Sequence, residues 1–368
     1  MGYPRLEIDL IKLEENARME VREMVEFGVT VMGVNKVFNG LPQTAEAIVR
    51  GGIEAVAESR ISNLRKLQGV PGQKCLLRSP CLSEIEDTVR YADISLNSEV
   101  AVLQALSKEA VRQNKIHRVL LMVDMGDIRE GIWFEDLQSL EAAVKTIIDL
   151  PQLEIYGLGT NFSCFGSVLP SLKNGRMFIY LARTLESKIS ITFPYLSGGN
   201  CTSYRLMRKG VWPEGINHLR IGALHQFGIE YADIEYLDAY HHSDMEISRL
   251  CSNLYILKAE IIEANTKPTV PFGELGVDCF MKAKIFQDQG PRKRALLALG
   301  HQDVAMENCW PVDPQVRILG QSFDHTIIDI EDCDRHYRVG DIVSFELDYT
   351  GLNSACSADS IVKRFIED

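Results

Sequence analysis

Residues 118–124 read Arg118-Val119-Leu120-Leu121-Met122-Val123-Asp124, five apolar side chains in a row closed by a carboxylate. A strand with one wet face alternates apolar and polar residues. An unbroken apolar run of this length fits a parallel strand buried on both faces. Outward from it, short β-rich runs occur near Thr30–Lys36, Ile53–Ser59, Lys74–Pro80, Ile94–Asn97, Glu154–Asn161, Thr192–Ser197 and His218–Ala223. Helical patterns fill most gaps, at Leu41–Arg50, Arg60–Leu67, Leu82–Tyr91, Ser98–Gln113, Glu135–Asp149 and Ser171–Lys188. Eight β/α units in roughly 220 residues predict a closed (β/α)8 barrel of the TIM type. A doubly wound open sheet competes, but no Gly-x-Gly-x-x-Gly turn follows any strand.

The pattern changes near residue 240. Tyr255–Ile262, Cys279–Phe286, Ala295–Leu299, Val316–Leu319, Thr326–Ile330 and Asp341–Leu347 read as strands joined by turn-rich pieces, with no helices between them. We therefore expect a barrel over residues 11–240 and a smaller, mainly-β domain over 241–368. The strand-like Leu6–Leu10, within residues 1–10, is expected to join that second domain. A chain of 368 residues exceeds what one hydrophobic core usually supports.

Net charge is −12, which disfavours nucleic acid and anionic membranes as partners. The nine cysteines are odd in number and scattered, with no C-x-x-C, so neither a disulfide framework nor structural zinc is expected. A reducing cytoplasm fits them best. Met1-Gly2-Tyr3-Pro4-Arg5-Leu6 lacks signal-peptide regions and the position-6 hydroxyl of a myristoylation signal, and no apolar run is long enough to span a bilayer.

In a β/α barrel the reactive groups lie at the C-terminal ends of strands. Lys36 ends the first strand amid apolar or uncharged neighbours. Partial desolvation there favours the neutral, nucleophilic amine that an aldehyde cofactor needs. A lysine turning outward as its strand ends is an equal reading from position alone. Strand seven runs into Ser197-Gly198-Gly199-Asn200 and strand eight into Arg220-Ile221-Gly222. The loops after these two strands are the usual phosphate site of such barrels, with glycines that admit backbone N–H groups to an anion. Gly-Gly alone more commonly marks a tight turn. A buried Arg220 needs a partner, either a structural carboxylate or a ring nitrogen that it would keep unprotonated. Arg129, in the loop after strand five, could clamp a substrate carboxylate through its forked guanidinium or stand in solvent. His301, in Leu299-Gly300-His301-Gln302-Asp303, could be a general base or a surface residue. Ser322-Phe323-Asp324-His325 has the same ambiguity. The adjacent pair His241-His242 is poorly spaced for a metal, and no metal is expected.

In order and strand position these segments resemble the alanine racemase family of fold-type III pyridoxal-phosphate (PLP) enzymes, and are most similar to its ornithine racemase-like branch. Val34-Asn35-Lys36 is similar to the family's cofactor lysine. Asp124-Met125-Gly126-Asp127-Ile128-Arg129-Glu130-Gly131 matches its D-x-G-x-x-R-x-G segment, whose arginine binds the substrate carboxylate. Gly159-Thr160-Asn161-Phe162 resembles its Thr-His-Phe, with Asn161 in place of histidine. Ser197-Gly198-Gly199-Asn200 and Arg220-Ile221-Gly222 resemble its phosphate loops and pyridine-facing arginine. The similarity runs nearly end to end.

The resemblance implies a PLP-dependent racemase that interconverts L- and D-amino acids by two-base removal of the α-proton. Lys36 works on one face and His301 on the other, His301 being delivered across a homodimer interface. The histidine stands where the family's Gly-Tyr-Ala-Asp-Gly run has its tyrosine base. That change, Asn161, and Met122 at a position where many members have a modifiable lysine argue against plain alanine racemase. Ornithine or another basic amino acid is the best-fitting substrate, with Asp303 and Asp324 as candidate partners for its side chain. A PLP-dependent decarboxylase or D-threonine aldolase-like lyase would share this fold and cofactor. A PLP carrier would normally end with the barrel, and a barrel enzyme without PLP is the remaining alternative.

Overall fold

The computed structural model describes residues 2–228 and 250–367. It divides into two compact units, one of Ile11–Lys36 and Gly40–Ser252, the other of Met1–Leu10, Val37–Asn39 and Asn253–Asp368. The boundary expected near 240 and the His241-His242 pair lie outside the described residues.

After β1 (Arg5–Asp9), the first unit runs through α1 (Leu10–Glu26), β2 (Thr30–Val34), α2 (Pro42–Arg50), β3 (Ala55–Glu58), α3 (Ile61–Lys66), β4 (Gln73–Leu76), α4 (Ile85–Tyr91) and β5 (Ile94–Asn97). It continues with α5 (Val100–Gln113), β6 (His117–Asp124), the two-residue β7 (Ile132–Trp133), α6 (Leu137–Asp149), β8 (Leu153–Gly159) and α7 (Leu172–Ile189). β9 (Tyr195–Ser197), α8 (Tyr204–Arg208), β10 (His218–Ile221) and α9 (Ala223–Phe227) complete its labelled elements. Eight parallel strands follow the order β5-β4-β3-β2-β10-β9-β8-β6, and β5 pairs with β6 to close the ring. The expected (β/α)8 barrel is present.

Its cause can be read along β6. Val119, Leu121 and Val123 pack into one cluster with helix residues such as Leu103, Leu140 and Phe178. Leu120 and Met122, pointing the other way, join Met32, Val34, Leu96 and Tyr156 in a second cluster. A pleated strand sends alternate side chains to opposite faces, so an unbroken apolar run is what two buried faces require. Close strand approach also needs glycine. A Cβ on Gly157 would stand 2.1 Å from the Tyr195 carbonyl oxygen on β9. The helices are stopped by local chemistry: Ser171 and Asn174 form a capping box at the start of α7, and Asn114 closes α5 in the left-handed region.

The second unit is an antiparallel β domain. Its strands are β11 (Tyr255–Pro268), β12 (Pro291–Leu297), β13 (Cys309–Pro311), β14 (Arg317–Gln321), β15 (Thr326–Asp329), β16 (Ile342–Leu347) and β17 (Val362–Ile366). They run in the order β13-β16-β11-β12-β15-β14, and β1 pairs antiparallel with β11 and parallel with β17.

Two expectations fail here. Cys279–Phe286 is not a strand: Asp278 Oδ1 accepts from the backbone N–H groups of Phe280 and Lys282, which folds the chain into a turn. Helix α10 (Tyr349–Ser357) stands between β16 and β17, where no helix was expected. Asp348 caps it by accepting from Gly351 N, and Leu352, Ala355 and Cys356 form its buried side. Strands β13 and β17 were not foreseen. Proline in one and the Lys363-Arg364 pair in the other hide their β pattern.

Among the described residues no helix is long and apolar enough to cross a membrane, and no group of three or more His, Cys, Asp or Glu gathers as a metal site.

Candidate active site

The C-terminal ends of the barrel strands surround a cavity of about 490 Å³, within the usual range for small-molecule sites. Lys36 lines it two residues beyond β2, Arg129 and Glu130 after β6, Asn161 after β8, Asn200 after β9, and Arg220 from within β10. Val34, Leu77 and Leu96 supply apolar wall. Barrel closure is what makes Lys36 and Arg220 neighbours, because β2 and β10 pair in parallel with Met32 opposite Arg220.

Arg220 is buried yet held by neutral groups. Nη2 donates to the Thr160 carbonyl at 2.7 Å, and Nη1 donates to Ser197 Oγ. Ser197 Oγ also shares a 2.7 Å hydrogen bond with His218 Nδ1. His218 and Arg220 are two apart on one strand and so face the same way. Burial, and then the adjacent guanidinium charge, push His218 down to about 3, so the ring is neutral at physiological pH. Burial also lowers Arg220 from its ordinary value, but a guanidinium remains a donor without an acceptor. A ring nitrogen facing it would have to accept.

The Arg129 loop is tightly shaped. Asp124 Oδ1 accepts from Gly126 N at 2.8 Å and Ile128 N at 3.1 Å, while the buried Asp127 carboxylate takes the N–H groups of Cys164 and Phe165. Ile128, a β-branched residue, adopts φ 50°, a conformation that marks a constrained loop. Gly131 is obligatory: at φ 120° its Cβ would stand 2.5 Å from Asp124 N. The loop delivers Arg129 with its fork already engaged. Nη2 donates to Glu130 Oε1 at 2.5 Å and Nε meets Oε2. Asn161 Nδ2 donates to the same Glu130 Oε1 at 2.8 Å, and Asn200 Nδ2 reaches Asn161 Oδ1 at 3.3 Å.

Ser197, Gly198, Gly199 and Gly222 are buried and none of them lines this cavity, which their chain neighbour Asn200 does. The backbone N–H groups of Gly222 and Ala223 point at Cys201 Sγ, at 3.3 and 3.1 Å. A thiol is a weak acceptor, so two main-chain donors here are poorly matched until an anion takes its place. This cradle, the lysine amine on one strand end and the permanent donor on the next suit PLP in phosphate, aldehyde and ring nitrogen. The residues present fit the cofactor.

Beneath Lys36, Glu58 ends β3 fully buried. Its Oε1 accepts from Asn35 Nδ2 at 3.0 Å and its Oε2 from Asn63 Nδ2 at 3.2 Å, and Thr44 Oγ1 donates to Asn35 Oδ1 at 2.9 Å. Burial pushes this carboxyl up to about 7, against the pull of Asn63, Asn35 and the Gly40 N–H. The network pins Asn35, the residue before Lys36.

In the β domain His301 is exposed, with its ring 4.7 Å from that of Phe280. Asp303 is buried and local: its oxygens accept from Gly300 N at 2.9 Å and from Ser360 Oγ. Asp324 Oδ1 accepts from Gln302 Nε2 at 2.7 Å. Sequence reasoning passed over Glu130, His218 and Glu58. The period-2 spacing of His218 and Arg220 was available as a signal. Nothing in the sequence marks Glu58 as buried or Glu130 as facing the cavity.

The family described as Alanine racemase, N-terminal domain, matches residues 8–227. The chain belongs to the alanine racemase family. The ornithine racemase of Acetoanaerobium sticklandii is 38% identical over 364 residues, spanning 99% of this chain and 100% of that protein. The lysine racemase of Thermotoga maritima is 34% identical over 365 residues, spanning 99% and 98%. The solved alanine racemase from Bartonella henselae, with covalently bound pyridoxal phosphate, shares the fold at a TM-score of 0.71 and 16% identity, covering 98% of this chain and 99% of that one. Fold-type III architecture, a barrel followed by an antiparallel β domain, is thus common to this chain and the alanine racemase family.

Proposed function

We propose that this protein is a PLP-dependent racemase of a basic amino acid, ornithine or lysine, working as a homodimer with shared active sites in the cytoplasm. The observation that carries the reading is one cavity holding Lys36, Arg129 and Arg220, in a chain related end to end to ornithine and lysine racemases.

When bound, PLP supplies the electron sink that acidifies the substrate's Cα–H. Everything else is the work of side chains. Lys36 Nζ would hold the cofactor and would move the α-proton on one face of Cα. His301 of a second protomer carries it on the opposite face. Arg129 receives the substrate carboxylate through its planar fork. The backbone donors of Gly222 and Ala223, with the turn at Gly198-Gly199-Asn200, would hold the cofactor's phosphate. Arg220, fixed by Ser197 and Thr160, offers only donors, so it would hold a ring nitrogen of the cofactor unprotonated.

The test is α-hydrogen exchange in heavy water with chiral analysis of products, across ornithine, lysine, alanine and serine of both hands. We expect exchange with inversion for a basic amino acid. Decarboxylated or cleaved products, or exchange confined to one hand, would overturn the two-base racemase.

A further inference from the structure

Glu130 is the one carboxylate among the described residues lining the Lys36 cavity. Both its oxygens meet Arg129, and Asn161 Nδ2 donates to Oε1 at 2.8 Å. The fork proposed for the substrate carboxylate is therefore occupied by the adjacent side chain. An amino acid that docks on Arg129 must displace Glu130 from it. A carboxylate stripped of its cation in a partly buried site is costly unless another cation arrives. Glu130 keeps only 24% side-chain exposure, so water cannot fully replace the lost partner. Asn161 retains one hydrogen bond and holds the freed carboxylate in the cavity.

The balance then depends on the ligand's side chain. A neutral amino acid satisfies Arg129 and strands Glu130. An amino acid with a distal ammonium exchanges partners without loss: its carboxylate takes Arg129 and its ammonium takes Glu130. The other cavity charges sharpen the difference. Arg220 and Arg78 are guanidinium cations, and Arg78 has its own carboxylate partner in Glu84 at 2.8 Å. An entering ammonium thus finds its attraction at Glu130.

We propose that Glu130 is the specificity-determining residue of this site, selecting amino acids with a cationic side chain through exchange of partners with Arg129. The inference rests on the racemase reading and adds the group that recognises the substrate class.

The experiment compares holoenzyme and Glu130→Gln with ornithine and with norvaline, which has the same carbon chain without the terminal amine. Glutamine keeps the size and the hydrogen-bonding oxygen but not the charge. Two quantities are measured: Kd by calorimetry and kcat/KM for α-hydrogen exchange in heavy water. The wild-type protein should prefer ornithine, and Glu130→Gln should lower the ornithine-to-norvaline ratio about 10- to 100-fold in both measurements. Glu130→Asp, which keeps the charge, should recover part of that ratio and serves as the folding control. A ratio unchanged in Glu130→Gln means Glu130 only orients Arg129 and overturns the proposal. A wild-type protein that binds both ligands alike overturns it too. If the calorimetric preference exists and is lost in Glu130→Gln while neither ligand is racemised, Glu130's role stands and the racemase reading falls.

Discussion

Glu58 ends β3 with its carboxylate buried among the amides of Asn35, Asn63 and Gly40. The three donors favour the ionised form, but desolvation outweighs them and pushes the group from its ordinary 4.5 up to about 7. A carboxyl raised in the folded state stabilises folding while it is protonated in that state. Its contribution is full below about 4.5, declines as pH rises, and is gone above about 7. The window corresponds to about 3 kcal/mol. In urea denaturation near pH 5 and near pH 8, wild type should lose about this much more stability between the two than Glu58→Gln. Equal pH dependence in the two proteins would show that Glu58 titrates normally. Lys36, Arg129 and Arg220 could be picked out in the sequence because a charge at a strand end is conspicuous there. Glu58 could not, because its peculiarity is burial, which only its neighbours create.

The loop between β6 and β7 shows the same contrast for an element. Its sequence, Asp124 to Gly131, announces a turn with an arginine in it. The hydrogen bond from Asn161 to Glu130, the partner of Arg129, depends on where β8 ends, a matter of barrel closure. Gly131 is the element's weak point. An added Cβ would press on Asp124 N at 2.5 Å and on the Val123 carbonyl carbon at 2.6 Å, both backbone atoms that cannot swing away. Gly131→Ala should therefore shift the loop and misplace Arg129. We expect KM for the amino acid to rise about tenfold or more, with cofactor absorbance retained. Wild-type steady-state kinetics in this variant would mean the loop does not position the substrate.

For the whole molecule, the proposed second base belongs to the β domain while Lys36, the proposed cofactor lysine, belongs to the barrel. If His301 serves the barrel of a second copy, two differently crippled proteins can repair one another. Lys36→Ala and His301→Ala, each inactive in inversion, should on mixing and subunit exchange recover about a quarter of wild-type racemisation, since half the dimers are hybrids and each hybrid holds one intact site. No recovery, with hybrids verified by native mass spectrometry, would place both bases in one protomer.

The sequence by itself determined the barrel, because unbroken apolar runs such as Val119–Val123 require burial on both faces, and eight β/α units with no Gly-x-Gly-x-x-Gly turn favour closure over an open sheet. It also determined the family, because Lys36, Arg129 and Arg220 stand in order at the first, fifth and eighth barrel strands. In the β domain it misled at Cys279–Phe286, whose local pattern is overridden by the Asp278 turn, and at α10, where Gly351, Asn353 and Ser354 read as turn residues. Only the tertiary structure decided how the charges are partnered. It set Ser197 and Thr160 behind Arg220, Asn161 against Glu130, and Glu58 against Asn35. Strand patterning is a property of the chain's own period and can be read along it. Charge pairing depends on which distant residues barrel closure brings within hydrogen-bond reach, and the sequence does not print that distance.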